Sequence, residues 1–313
     1  MLRLEGLKSR SLLWIVLVAV LMMAILSLSS PYFMTLGNMT NLMKQVSIVA
    51  ILAAGQAVVI ISGGIDLSVG SILALSAVTI GWLIENGVDP RIAAIAGLAM
   101  GTFAGWINGM VITRGRIPPF IATLGMLGIA RGMALVITKG VSYQVLEPLF
   151  LFIGNSKIAG LPVPLYFVVV VFAAVMIMMH MTVFGRHVYA IGGDERVARL
   201  EGIPVDRQKV KIYTLSGFLA AVAAIVLVGR LAATPPSVAQ GIELQAIAAV
   251  IIGGVSFVGG RGIVITALVG AFIMAMITNG LNILGISSFY QQVLIGIVII
   301  VAVWLDNLKS TAR

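Results

Sequence analysis

The chain has 313 residues, of which 60% are apolar and 10% charged, and twenty Lys and Arg against eleven Asp and Glu give a net charge of +9. Such apolarity excludes an ordinary soluble domain, because repeated apolar runs of roughly 20 residues mark a polytopic membrane protein. The basic excess then reads as anchoring at the inner face of a membrane, with no nucleic acid implied, and the absence of Cys excludes disulfides and thiolate metal sites.

Ten apolar spans follow in chain order, over 12–28, 46–62, 67–84, 92–112, 119–137, 163–183, 213–231, 243–258, 263–282 and 290–305. The first is preceded by Arg3, Lys8 and Arg10, as a secretory signal would be. No small-x-small cleavage motif leads from it into a soluble domain, so it is read as the first span. Several spans are short, which predicts broken or tilted helices. With the amino terminus inside, the inner segments hold Arg3, Lys8, Arg10, Arg114, Arg116, the basic residues of a central charged run, Arg261, Lys309 and Arg313. The outer segments hold only Lys44, Arg91, Lys139, Lys157 and Arg230, which satisfies the positive-inside rule with both termini cytoplasmic. The expected fold is all-α and polytopic, a single transmembrane domain over 1–313 with halves 1–160 and 161–313, in the cytoplasmic membrane.

The central run, Phe184 to Lys211, is the one long charged stretch, and within the loop 184–212 it carries helix signals. Asp194 is placed to cap a helix, Glu195 and Arg199 form an i,i+4 pair, and Gly202 followed by Pro204 ends it. Val197 and Leu200 then share one face of a short amphipathic handle held toward a soluble partner.

The halves echo each other. Gly64-Ile65-Asp66-Leu67 opens the third span and Gly241-Ile242-Glu243-Leu244 the eighth. Downstream, Ala74, Ala77, Val78, Ile80 and Gly81 match Ala246, Ala249, Val250, Ile252 and Gly253, and Gly101, Phe103, Ile117 and Phe120 match Gly270, Phe272, Ile286 and Phe289. An offset of five spans is odd, so the two five-helix repeats lie inverted in the membrane, a transporter pattern.

Gly63, Gly64, Asp66 and Glu243 are candidates for a gate or for helix caps. Glycines allow tight turns, and a carboxylate at a helix start meets backbone N–H groups and the positive end of the dipole. Ionisable groups near lipid are costly, which favours function, but capping is the plainer reading; for Glu243 the same cap is expected at the opposite face. Arg131, about 12 residues into its span, lies some 18 Å from the cytoplasmic end at roughly 1.5 Å per residue. It must snorkel, or pair with carbonyls or an acid. The amides and aromatics inside spans, Gln56, Trp106, Asn108, Gln245, Asn279 and Asn282, together with Phe120, are candidates for a path taken by a polar, uncharged solute; interhelical hydrogen bonding is the alternative. No phosphate loop, HExxH or Gly-x-Ser-x-Gly elbow occurs, and His180 and His187 lack metal-ligand spacing. The chain reads as a transport subunit, without catalytic or metal residues of its own.

Four blocks, SGGIDLSVGS, RIPPFIATLGM with IARG, GRHVYAIGGDERVARLEGI and ELQAIAAVIIGGVSFVGGRG, together resemble the permease subunits of bacterial ABC importers for monosaccharides, of the ribose permease type. That type sits in a larger group with branched-chain amino acid permeases, and the resemblance covers roughly residues 40–308. It implies a pair of permease subunits, identical or paralogous, with an extracytoplasmic sugar-binding protein outside. It also implies a cytoplasmic ATP-binding subunit, so that ATP and magnesium belong to the partner and no cofactor to this chain. The family's ATPase-coupling segment falls on Gly192 to Gly202, which includes Asp194, Glu195, Val197, Ala198 and Leu200. The broader importer pattern Glu-Ala-Ala-x3-Gly is matched at Ala198 and Gly202, whereas Arg196 and Val197 stand at its acidic and first Ala positions. An ion-coupled secondary transporter of a small polar solute is the alternative, since inverted repeats and Asp66 would suit it as well.

Overall fold

A computed structural model describes residues 2–311, with side chains described from Leu13 onward apart from Trp14, Ser288, Leu305 and residues 307–313. The flanking charges Arg3, Lys8, Arg10, Lys309 and Arg313 therefore lie outside the described side chains. Thirteen helices dominate. In chain order they are α1 (Leu2–Ser29), α2 (Leu36–Ile61), α3 (Val69–Glu85), α4 (Pro90–Thr113), α5 (Pro119–Thr138), the short α6 (Pro148–Asn155) and α7 (Val163–Met181). There follow α8 (Val183–Gly193), α9 (Glu195–Leu200), α10 (Val205–Leu231), α11 (Ile242–Ile252), α12 (Thr266–Ile283) and α13 (Ser288–Thr311). Two small antiparallel ladders join the connecting loops. β1 (Tyr143–Gln144) pairs with β4 (Ala233–Thr234), and β2 (Lys157–Ile158) with β3 (Leu161–Pro162).

Among the described residues six helices are long and apolar enough to cross a membrane, and four shorter apolar stretches (15–29, α3, α11 and 289–304) fill the remaining expected positions. Their ends follow local chemistry. Thr35 caps α2 and Asp89 caps α4, where Pro90 fits the first turn because its missing N–H has no partner there anyway.

Several boundaries differ from the sequence reading, among them that of α2, which starts at Leu36, ten residues before its expected span. Helix α10 starts at Val205, eight residues before its apolar span, because Asp206, Arg207, Lys209 and Lys211 are unsuited to a hydrocarbon layer but can occupy a helix outside it. The 138–162 segment contains α6, whose Gly154 sits against the backbone of Gly229 on α10. Helix α11 stops at Ile252, at the pair Gly253-Gly254, where Gly254 takes a φ of +82° that a side chain would resist. Eleven residues at about 1.5 Å each cover roughly half of a 30 Å hydrocarbon layer. The irregular chain from Gly253 to Ile265 is tolerated because protein covers much of it.

Helices α2 and α10 form the centre, and α2 is buried continuously from Val46 to Ile61. Helix α4 meets α10 through Gly101, Gly105 and Gly109, one per turn, which lie on Gly217, on the carbonyl of Tyr213 and on Val210. A side chain at any of the three would strike α10, so this stripe sets the close approach of the two helices. The packing order repeats between the halves. Helix α3 packs on α4 and α5, as α11 packs on α12 and α13; α10 packs on α3 and α4, as α2 packs on α11 and α12.

Candidate functional site

Helix α9 forms as its spacing predicts. Asp194 accepts from the N–H groups of Arg196 and Val197, Arg199 donates to Glu195 at 3.0 Å, and Gly202 ends the element at φ +79°. Of its six residues only Ala198 is buried. It joins a small apolar cluster with Ile191 and Val205, apart from the main core. Val197 and Leu200 point outward and are 51% and 87% exposed, which leaves an apolar knob on a charged helix. The underside is ionic. Lys209 donates to Glu195 at 2.6 Å and Arg199 to Asp206 at 2.6 Å, both acceptors and donors bridging α9 and α10. Burial pushes the Glu195 carboxyl up, but the bonds from Lys209 and Arg199 prevail and hold it below the usual carboxylate range. The Arg199 guanidinium likewise holds Asp206 down.

Beneath α9 the turn 62–68 dips into the bundle. At its outer end Gly63 lies against Gly192 and Gly259, and Gly260 donates its N–H to the carbonyl of Ile61 at 2.8 Å. At its inner end is Asp66, fully buried. One carboxylate oxygen accepts from the N–H and hydroxyl of Ser68 at the start of α3; the other accepts from Ser216 of α10 at 2.8 Å. Asn108 of α4 donates to the Ser68 hydroxyl at 2.8 Å, and Thr123 of α5 donates to the carbonyl of Ile65 at 3.3 Å. With its amide turned to satisfy both groups, Gln56 bridges the N–H and carbonyl of Asp66 at 3.3 and 3.2 Å. Asp66 thus ties the start of α3 to α10 and, through Gln56, to α2, while Asn108 and Thr123 bring α4 and α5 onto the neighbouring Ser68 and Ile65. Gly64 faces Tyr213, whose ring leaves no space for a side chain there.

The repeat-related turn behaves differently. From Thr234, which lies on Gly81, the chain runs back along α3 until Glu243 lies on Gly70. Eleven helical residues separate those two glycines, about 16 Å of depth at 1.5 Å each. Glu243 therefore sits inside the bundle, a few residues from Asp66, and not at the opposite face as the repeat predicts, because the segment between β4 and α11 re-enters. Its Oε1 accepts from the N–H of Gly241 at 3.2 Å, whereas its buried Oε2 has no partner among the described residues. Arg131 pins the re-entrant segment, donating from Nη1 to the carbonyls of Pro236 and Val238 at 2.6 and 2.8 Å. That is the carbonyl pairing its depth requires.

Three of the path candidates are engaged in hydrogen bonds. Asn108 is spent on Ser68, Asn279 on Asn38 at 2.9 Å, and the exposed Asn282 accepts from Gln291 at 2.6 Å. Phe120 is 52% exposed on the first turn of α5, and Gln245 is half-buried on α11. Sequence reasoning missed Ser68, Ser216, Lys209 and Asp206 as partners. Ser216, a small polar residue in an apolar run, was the available signal. No cluster of metal-ligating residues occurs among the described residues.

The chain matches, over residues 38–303, the family described as branched-chain amino acid transport system / permease component. It is 45% identical to the ribose import permease protein of Bacillus subtilis over 93% of this chain and 91% of the relative. Against the ribose import permease protein of Escherichia coli strain K12 the identity is 41%, over 94% and 93%. Against the D-allose transport system permease protein of the same strain it is 39%, over 91% and 87%. No solved structure matches. The chain belongs to this permease-component family.

Proposed function

We propose that this chain is the membrane subunit of an ATP-driven importer that carries a monosaccharide, ribose or a close relative, inward by alternating access. The observation that supports this best is the identity shared with two ribose import permeases along more than nine-tenths of the chain. The shape of α9 agrees. An apolar pair, Val197 and Leu200, stands exposed on a charged helix backed by ion pairs, as expected of a helix that docks into a groove of a cytoplasmic ATPase. ATP and magnesium would bind on that partner, a second permease copy or paralogue would complete the pathway, and an extracytoplasmic sugar-binding protein would deliver the cargo. Both termini and α9 would then be cytoplasmic.

Gln245, whose amide is not taken up by a hydrogen bond among the described residues, and Phe120, whose ring is exposed, are the leading path residues in this reading, whereas the three asparagines are engaged. The test is uptake of labelled sugar into vesicles holding this chain and its co-encoded ATPase, with ribose- or allose-loaded binding protein outside. ATP-dependent uptake of one sugar is the expected result. Uptake that follows a sodium or proton gradient, with no ATPase required, would replace this reading with an ion-coupled secondary transporter.

A further inference from the structure

The ion pairs under α9 stand between two cavities. One, of about 220 Å3, opens between α9 and the turn at Gly63 and Gly64, with Pro119 and Tyr213 on its walls. The other, of about 480 Å3, opens between α9 and the α4–α5 connection, along Ile112, Arg116 and Pro118. Glu195 and Lys209 line both. The helix therefore borders open space on the side of the 62–68 turn and on the side of the α4–α5 connection, and among the described residues its main neighbours are α8 and α10.

The join to α10 is small in apolar terms. Ala198 and Val205 meet across it with Ile191, and Ala190 and Ile203 pack around them. The rest is ionic: two bonds cross, Arg199 to Asp206 and Lys209 to Glu195, and the Arg199–Glu195 pair within α9 connects them into one set. Lys209 is 16% exposed, so its bond is less screened than an ordinary surface pair. One and two turns further along α10 come Tyr213, against Gly64, and Ser216, bonded to Asp66. Lys209, Tyr213 and Ser216 follow at spacings of four and three, so they share one face of α10.

We propose that Lys209, with Asp206, is a positioning residue of the transport cycle: it locks α9 to α10, so that the two move as one body across the cavities and displacement of α9 reaches the Asp66 turn through Ser216. This rests on the proposed importer function for its purpose, but not for the lock itself. Without Lys209, Glu195 keeps only Arg199 on its own helix, the ionic join to α10 falls to the exposed Arg199–Asp206 pair, and α9 is freer to swing in the open space relative to α10.

The experiment pairs two readouts on the full chain in lipid nanodiscs or vesicles. Amide hydrogen exchange follows residues 195–201, and sugar uptake per ATP hydrolysed is measured with the ATPase and binding protein present. The variants are Lys209→Met, Lys209→Arg, and Lys211→Met, which removes an exposed cation outside the network. We expect Lys209→Met to speed exchange of 195–201 about fivefold and to lower uptake per ATP by a similar factor, while ATPase binding persists. Lys209→Arg should restore both, and Lys211→Met should leave both unchanged. Unaltered exchange in Lys209→Met would overturn the lock, and faster exchange with normal uptake per ATP would overturn its role in transport. If the unaltered protein shows no ATP-driven uptake, the importer reading fails by itself, and the exchange result still decides the lock.

Discussion

The two re-entrant turns, 62–68 and 235–241, occupy related places in the repeat and are secured by different chemistry. The first is saturated: Asp66 accepts three bonds, Gln56 bridges its backbone, and Ser216, Asn108 and Thr123 bring in three further helices. The second hangs on Arg131, which reaches two carbonyls, while Glu243 keeps one oxygen without a partner and Ala239 and Gly241 take positive φ. A repeat in sequence fixes where a turn lies, but the partners across the interface decide how firmly it is held. By this comparison the turn beneath α9 is the rigid one, and the turn held by Arg131 is the one able to change shape.

The largest expected effect breaks the rigid turn. Asp66→Ala strands the Ser216 hydroxyl and the Ser68 N–H in an apolar interior, and should lower stability by about 3–5 kcal/mol, read by thermal unfolding in detergent. Asp66→Asn keeps one acceptor and should cost about 1–3 kcal/mol. Arg131→Leu removes two charge-assisted bonds but also relieves the burial of a cation. A net loss of about 1–2 kcal/mol is expected, with faster amide exchange confined to 237–241. Equal slowing or quickening at both turns would contradict the contrast between them. Glu243→Gln should stay within about 1 kcal/mol of the unaltered protein. The carbonyl of Ala239 shares the space above Gly70 with Oε2, so an amide there gains an acceptor.

Outside the bundle the same kind of group is worth least. Glu195 and Asp206 titrate below the usual carboxylate range in the folded chain, so they bind fewer protons folded than unfolded. Their contribution is present above the ordinary carboxylate pKa and is lost as pH falls through their depressed values. The cations facing them are Arg199, Lys209 and, for Asp206, also Arg116. The protection factor of residues 195–201, which corrects exchange for its intrinsic pH dependence, should therefore fall as the solution is acidified below the ordinary carboxylate range, several-fold at most because both carboxylates are partly exposed. A rise in protection on acidification would refute the ionic account of α9.

Much of the architecture was legible because apolar runs and helix signals are local. The ten apolar stretches follow from composition, and α9 from Asp194, the Glu195–Arg199 spacing and Gly202. The early start of α10 was hidden, since its charged first turns carry no apolar signal. The bond from Ser216 to Asp66 joins residues 150 apart in sequence, and nothing local marks either as the other's partner. The repeat gave Glu243 a position but not its depth, which depends on how the intervening chain folds back along α3.

Under the proposed function, α9 is the handle by which a nucleotide-driven partner moves this permease. The direct measurement is sugar uptake per ATP hydrolysed for Val197→Asp with Leu200→Asp, in vesicles containing the co-encoded ATPase and loaded binding protein. Both side chains are exposed, so the fold should survive, and we predict that uptake per ATP falls at least tenfold while the permease remains inserted and stable. Full uptake per ATP from a stable double variant would contradict the claim.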